Sequence, residues 1–157
     1  MKLRQARNKD GRQIINLIRK CYRDYSGCYL DVENDSPELN YVYTHFKKNN
    51  GKFWVYEKNK KIIGCMGIAP GREKSLEIHR LYIDKKFRRK GLAKKLLSMA
   101  ENYALNFKIK KITLWTDTRF KDSHKTYKRL NYKKLKKTRK LYDISNTTEY
   151  TFSKILR

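Results

Sequence analysis

FRRKGLAKKLL, residues 87–97, sets a lone glycine in a basic run immediately ahead of an amphipathic helix. The helix follows from Leu92, Ala93, Leu96, Leu97, Ala100, Tyr103 and Ala104, which recur at helical spacing and predict a helix from Lys90 to about Phe107. The preceding SLEIHRLYID, residues 75–84, reads as a strand, so Gly91 lies in a strand-to-helix turn. Such a turn leaves first-turn N–H groups without intrahelical partners, and together with the helix dipole they attract an anion. Gly91 permits close approach, because a Cβ at that point would hold a phosphate away from the backbone. Arg88, Arg89, Lys90 and Lys94 add positive charge around it. The bland alternative is a glycine that marks a solvated loop.

Upstream, KFWVYEK (52–58), a turn at Asn59-Lys60 and KIIGCMGIA (61–69) read as a hairpin. Residues 2–7 alternate as a short strand, and Asn8 is expected to N-cap a helix whose apolar face carries Ile14, Ile15, Leu17, Ile18 and Cys21. Residues 22–35 have no sustained period and read as a loop. Ser36-Pro37-Glu38 offers an N-cap, an N1 proline and a first-turn acid, predicting a helix to about Asn49. Downstream, ITLWTDT (112–118) reads as a strand, Asp122–Leu130 as a short helix, and about 132–143 and 148–156 as two further strands. The order β-α-α-β-β-β-α-β-α-β-β suits an α/β chain with a mixed α+β sheet and helices on its faces.

With 157 residues and 39% hydrophobic content, the chain is read as a single domain, 1–157. Lys and Arg number 40 against 15 Asp and Glu, and the net charge of +25 points to nucleic acid, a membrane surface or an acidic ligand. The lysines are nevertheless spread along the whole chain, which a Lys-rich composition produces by itself. The 12 Tyr, 6 Phe and 2 Trp exclude a disordered basic tail. Cys21, Cys28 and Cys65 are odd in number and match no zinc or redox spacing, so neither a disulfide framework nor a metal site is expected. There is no leader-like segment and no apolar run of about 18 residues. A cytoplasmic protein with no membrane association is the expectation.

Arg88-Arg89-Lys90-Gly91-Leu92-Ala93 resembles the Arg/Gln-x-x-Gly-x-Gly/Ala hallmark of the GNAT superfamily of acyl-CoA-dependent N-acyltransferases, and LEIHRLYID looks like the strand that precedes it there. TDTRFKDSHKTYKRLNY, residues 116–132, is similar to the family's later block, with Tyr127 at its tyrosine position. Asn131-Tyr132 stands where Gly-Phe is usual, a mild departure because Asn tolerates the left-handed conformation. The resemblance covers residues 75–132 by motif and the whole chain by element order. It implies a central, mostly antiparallel sheet of six to seven strands flanked by four helices.

The resemblance also implies roles. The backbone of Leu81, Tyr82 and Ile83 would pair with the pantetheine arm of acetyl-CoA, with the Leu81 N–H near the thioester oxygen. The N–H groups of Arg88, Arg89, Lys90, Gly91, Leu92, Ala93 and Lys94 would hold the pyrophosphate, and Tyr127 would protonate the departing sulfur. A free amine must lose a proton before it attacks. Glu77 and His79, which share one strand face, are the two candidate bases, acting directly or through a water. Their plain alternatives are a solvated carboxylate and a packed histidine.

Acids cluster at Asp31, Glu33, Asp35 and Glu38, with Tyr22, Tyr25, Tyr29 and Tyr41 around them. Asp31, Glu33 and Tyr29 are therefore candidate contacts for a cationic amine through ion pairing and cation–π attraction. The implied acceptor is an amine-bearing small molecule, with monomer and homodimer both open. Three readings compete: a nucleic-acid-binding protein, resting on runs such as KKLKKTRK (133–140), an acetyltransferase acting on an amine of a protein or RNA, and a catalytically silent member of the fold that senses acyl-CoA, against which Tyr127 and Glu77 weigh.

Overall fold

Seven strands and four helices follow one another in the expected order in the computed structural model, which describes residues 1–157. They are β1 (Lys2–Gln5), α1 (Gly11–Tyr22), α2 (Val42–Lys48), β2 (Lys52–Lys58), β3 (Lys61–Pro70), β4 (Leu76–Ile83), α3 (Leu92–Asn106), β5 (Lys111–Asp117), α4 (Lys121–Arg129), β6 (Lys133–Lys140) and β7 (Thr148–Ile155). One sheet contains all the strands in the order β1-β2-β3-β4-β5-β7-β6. Only β4 and β5 run parallel, because α3 makes the crossover that parallel neighbours require.

Alternation along the strands divides the core between the two faces. Phe53 and Val55 of β2 pack with Ile14, Ile18, Val42 and Phe46 of α1 and α2 on one side. Tyr56, Met66, Ile68 and Ile78 pack with Leu96, Leu97 and Ala100 of α3 and with Tyr127 of α4 on the other. Gly67 of β3 faces α2, where a Cβ would lie 2.6 Å from Phe46 Cε1 and 2.8 Å from Phe53 Cδ2. Both rings are buried and cannot retreat. Gly67→Ala is therefore expected to cost about 1–3 kcal/mol, the usual range for overpacking, seen as a lower urea midpoint with an unchanged m-value.

Local departures from expectation have identifiable causes. Asn8 does not cap α1; a 3-10 turn over Asn8–Asp10 leads in, and the Arg7 N–H donates to Asp10 Oδ2 at 2.7 Å. Asn8 instead serves α2, accepting from the Thr44 N–H at 3.1 Å and donating to Thr44 Oγ1 at 2.7 Å. The expected single helix after Ser36 is divided into a 3-10 turn, Pro37–Tyr41, and α2. Ser36 Oγ accepts from Arg80 at 2.6 Å and makes no cap. β6 ends at Lys140, before the expected residue 143. It is the last strand of the sheet and exposed at every position, as a solvated edge. No helix is long and apolar enough to cross a membrane.

Candidate active site

The parallel pair at the sheet centre comes apart. β4 and β5 are in register only over Leu76–Ile78 and Ile112–Leu114, although both strands continue. A bulge drives the separation: Cys65 pairs with Tyr82 and Gly67 with His79, leaving Arg80 and Leu81 opposite Met66 alone. Arg80 takes φ 55, and an extra residue of this kind bends the strand and re-aims its side chains. The freed Arg80 carbonyl accepts from Cys65 Sγ at 3.2 Å, and the Arg80 guanidinium binds Ser36 and Glu38 (3.0 Å). The bulge is thereby tied to the segment between the first two helices.

Two cavities open at the split and share a wall of Tyr22, Leu81, Tyr82, Phe120, Ser123 and Tyr127. The smaller, about 260 Å³, extends past Ile83, Arg88 and Arg89 to Gly91, Leu92, Ala93 and Lys94 at the start of α3. Here Arg89 (φ 62) and Gly91 (φ 78) are both left-handed. The N–H groups from Arg89 to Lys94 donate to no backbone carbonyl, and the first regular bond of the helix is Lys95 N–H to the Gly91 carbonyl at 3.0 Å. A Cβ on Gly91 would meet no protein atom within 4 Å.

The basic residues here differ in their placement. Arg88 turns inward, its N–H bonded to the Lys85 carbonyl and its Nε donating to the Ile83 carbonyl at 2.8 Å. Lys90 lies over the Phe87 ring, 5.5 Å from its centroid, and does not line the cavity. The free donors therefore begin one residue after Arg88.

The larger cavity, about 670 Å³, lies on the other side of the shared wall. Glu77 and His79 both line it, with Glu77 Oε1 3.9 Å from His79 Nε2. Burial raises the Glu77 carboxyl above the ordinary range against the pull of Arg139 and Arg72. Burial, then Arg80 and Arg139, push His79 down to about 4, leaving its imidazole neutral near pH 7. Tyr127 belongs to both cavities, 7% exposed and packed 5.5 Å from the Phe152 ring. Burial raises its phenol pKa, keeping the hydroxyl protonated. Asn131 is left-handed at φ 68, and Tyr132 fills the core with its hydroxyl donating to Glu101 at 3.0 Å.

The expected acceptor residues are only partly brought together. Asp31 lines the larger cavity, its carboxylate accepting from the Asn34 N–H at 3.1 Å and Nδ2 at 2.8 Å. Tyr29 stands at the rim, 62% exposed, its backbone exchanging hydrogen bonds with Ser145 Oγ. Glu33 does not line the larger cavity but an outer groove that adjoins it at Tyr29, Leu30 and Asp31. Sequence reasoning missed Arg80, Asp117, Asp143 and Glu149, which line the larger cavity, and the Tyr22–Tyr82 hydroxyl pair (3.1 Å) in the shared wall. Only long-range pairing unites these residues.

Beside the bulge, a cavity bordered by N–H groups without backbone partners thus meets an acid-lined chamber at Tyr127. Residues 13–132 match the model of the acetyltransferase (GNAT) family. The chain is 30% identical to the uncharacterized N-acetyltransferase YjgM of Escherichia coli, over 83% of this chain and 80% of that protein. Its fold is similar to that of a GNAT-family acetyltransferase from Staphylococcus aureus, with a TM-score of 0.84, 18% identity and 99% of each chain covered. It is also similar to the PaiA N-acetyltransferase of Thermoplasma acidophilum, solved in complex with coenzyme A, with a TM-score of 0.77, 18% identity and 98% of each chain covered. The chain spans about half the length of its human and Xenopus relatives. This chain belongs to the GNAT acetyltransferase family and is an acyltransferase enzyme.

Proposed function

We propose that the protein is an N-acetyltransferase that moves an acetyl group from acetyl-CoA to a primary amine by direct attack in a ternary complex. The supporting observation is the meeting of two unlike cavities at Tyr127, one bordered by unpaired N–H donors and the other by Glu77. In this reading the pyrophosphate sits on the N–H groups from Arg89 to Lys94, and Arg88 braces the seat from behind. The pantetheine arm follows Leu81 and Ile83 along the split, and the amine enters through the larger chamber.

The acceptor arrives as an ammonium ion and gives one proton to Glu77, directly or through a water. Its nitrogen lone pair attacks the thioester carbonyl carbon, forming the C–N bond, while the Leu81 N–H stabilises the growing oxyanion. On collapse the C–S bond breaks, Tyr127 gives its proton to the sulfur, and the second proton shed by nitrogen restores the Tyr127 phenol. The amide and free coenzyme A leave with one net proton released. Thiol release from acetyl-CoA in the presence of an amine panel tests the reading; acetyl-CoA binding without thiol release for any amine overturns it.

Gly91→Val tests the seat alone. A β-branched residue at a left-handed φ costs roughly 1–2 kcal/mol, and its methyl groups would occupy the phosphate's place. The expected result is a Kd for coenzyme A weakened by roughly tenfold or more, since about 1.4 kcal/mol corresponds to a factor of ten. Calorimetry measures it, with an unchanged far-UV circular dichroism spectrum as the folding control.

A further inference from the structure

The chain carries +25, yet the larger chamber has the opposite character. No lysine and two arginines, Arg80 and Arg139, line it, although Lys and Arg make up 40 of the 157 residues. Seven of the chain's 15 acids do. Three are already bound to arginine: Glu38 to Arg80, Asp117 to Arg119 through both oxygens (3.0 and 2.8 Å), and Glu149 to Arg139 at 2.7 Å. The other four, Asp31, Asp35, Glu77 and Asp143, have no Lys or Arg within ion-pair distance. In a molecule so rich in cations, acids left without a Lys or Arg partner and gathered in one cavity form a local field that attracts positive charge.

Their positions separate them into two groups. Glu77 lies on β4, three residues before the bulge, whereas Asp31 and Asp35 lie in the 22–35 loop and Asp143 in the loop between β6 and β7. Ser145 binds both the N–H (2.8 Å) and the carbonyl (3.0 Å) of Tyr29, and Arg119 donates to the Ser145 carbonyl at 3.2 Å. The two loops are thus fastened to each other, and Asp31, Asp35 and Asp143 line the same cavity.

We infer, on the acetyl-transfer reading above, that the acceptor is a small, flexible di- or polycation. One amine meets Glu77 and Tyr127, while a second ammonium group is held by the loop carboxylates Asp31, Asp35 and Asp143. The chamber volume of about 670 Å³ falls within the usual range for small-molecule sites. A basic protein would press an extended cationic surface against a strongly cationic one. For a small cation that repulsion is largely screened beyond a Debye length of about 8 Å, and inside the chamber the cation meets the acids.

The test compares molecules of one length and different charge. Thiol release is measured with putrescine and cadaverine against n-butylamine and n-pentylamine, and with a lysine-rich peptide. The diamines are expected to exceed the monoamines in kcat/KM by roughly tenfold or more, the contribution of one charge-assisted contact. Asp35→Asn with Asp143→Asn removes two charges yet spares the loop. The new amide can still accept from the Thr147 N–H and meet its hydroxyl, both of which Asp143 now binds. In this double variant the diamine-to-monoamine ratio is expected to fall towards one.

Equal use of diamines and monoamines by the native enzyme overturns the inference and leaves acetyl transfer intact. A ratio unchanged in the double variant overturns it as well, as does turnover of the peptide alone. Absence of thiol release with every amine, despite acetyl-CoA binding, overturns the acetyl-transfer reading and this inference with it.

Discussion

Tyr127→Phe is expected to lower kcat for acetyl transfer by about 10²–10⁴, the span over which a positioned acid contributes, with little change in KM for acetyl-CoA. The ring stays in place, because its packing against Tyr132 and Phe152 does not use the hydroxyl. Only the proton donor at the shared wall of the two cavities is lost. Burial raises the Tyr127 pKa, so the native phenol remains protonated across the working range and is available to the departing sulfur. Thiol-release kinetics and calorimetric coenzyme A binding on the same variant separate chemistry from binding. If kcat is retained within a few-fold, the proton comes from elsewhere.

The strength of the local signal explains why the fold was so legible. α3 could be read because Leu96, Leu97, Ala100 and Ala104, all buried, repeat at one spacing behind a glycine that only a turn requires. The order of all eleven main elements followed from such patterns together with turn residues. Boundaries failed where a side chain found a distant partner. Ser36 faces Arg80 across 44 residues and Asn8 faces Thr44 across 36, so neither caps the helix that its own neighbourhood suggests.

The bulge at Arg80 did leave a trace. In LEIHRLYI the buried positions Leu76 and Ile78 are followed by Leu81 and Ile83, all four packed into the same core. The apolar phase slips by one residue between Ile78 and Leu81, as an inserted residue requires. The chamber left a partial trace, the acid cluster of residues 31–38, of which Asp31, Asp35 and Glu38 line it. Asp117, Asp143 and Glu149 lie far from that cluster in sequence, and each alone looks like a turn or solvated acid. Their shared environment exists only once β5 and β7 pair and the two loops meet.

Glu77→Gln should produce the second large loss, with a pH dependence that separates a base from a structural carboxylate. An alkylamine with a pKa of about 10.4 is only about 10⁻³ deprotonated near pH 7.4, so a base that accepts its proton inside the chamber removes a penalty of up to about 10³. In the native enzyme kcat/KM falls as pH drops through the Glu77 pKa, because only the carboxylate accepts a proton. Burial raises that pKa, so this acid limb lies above the position of an ordinary glutamate. In the variant the limb is expected to disappear and the rate to climb with the free-amine fraction. The defect is then roughly 10²–10³ near neutrality and shrinks towards unity as pH nears the amine pKa. His79→Gln should have the weaker effect, since an imidazole held down to about 4 is a poor proton acceptor near pH 7. A Glu77→Gln profile running parallel to the native one would assign the base elsewhere.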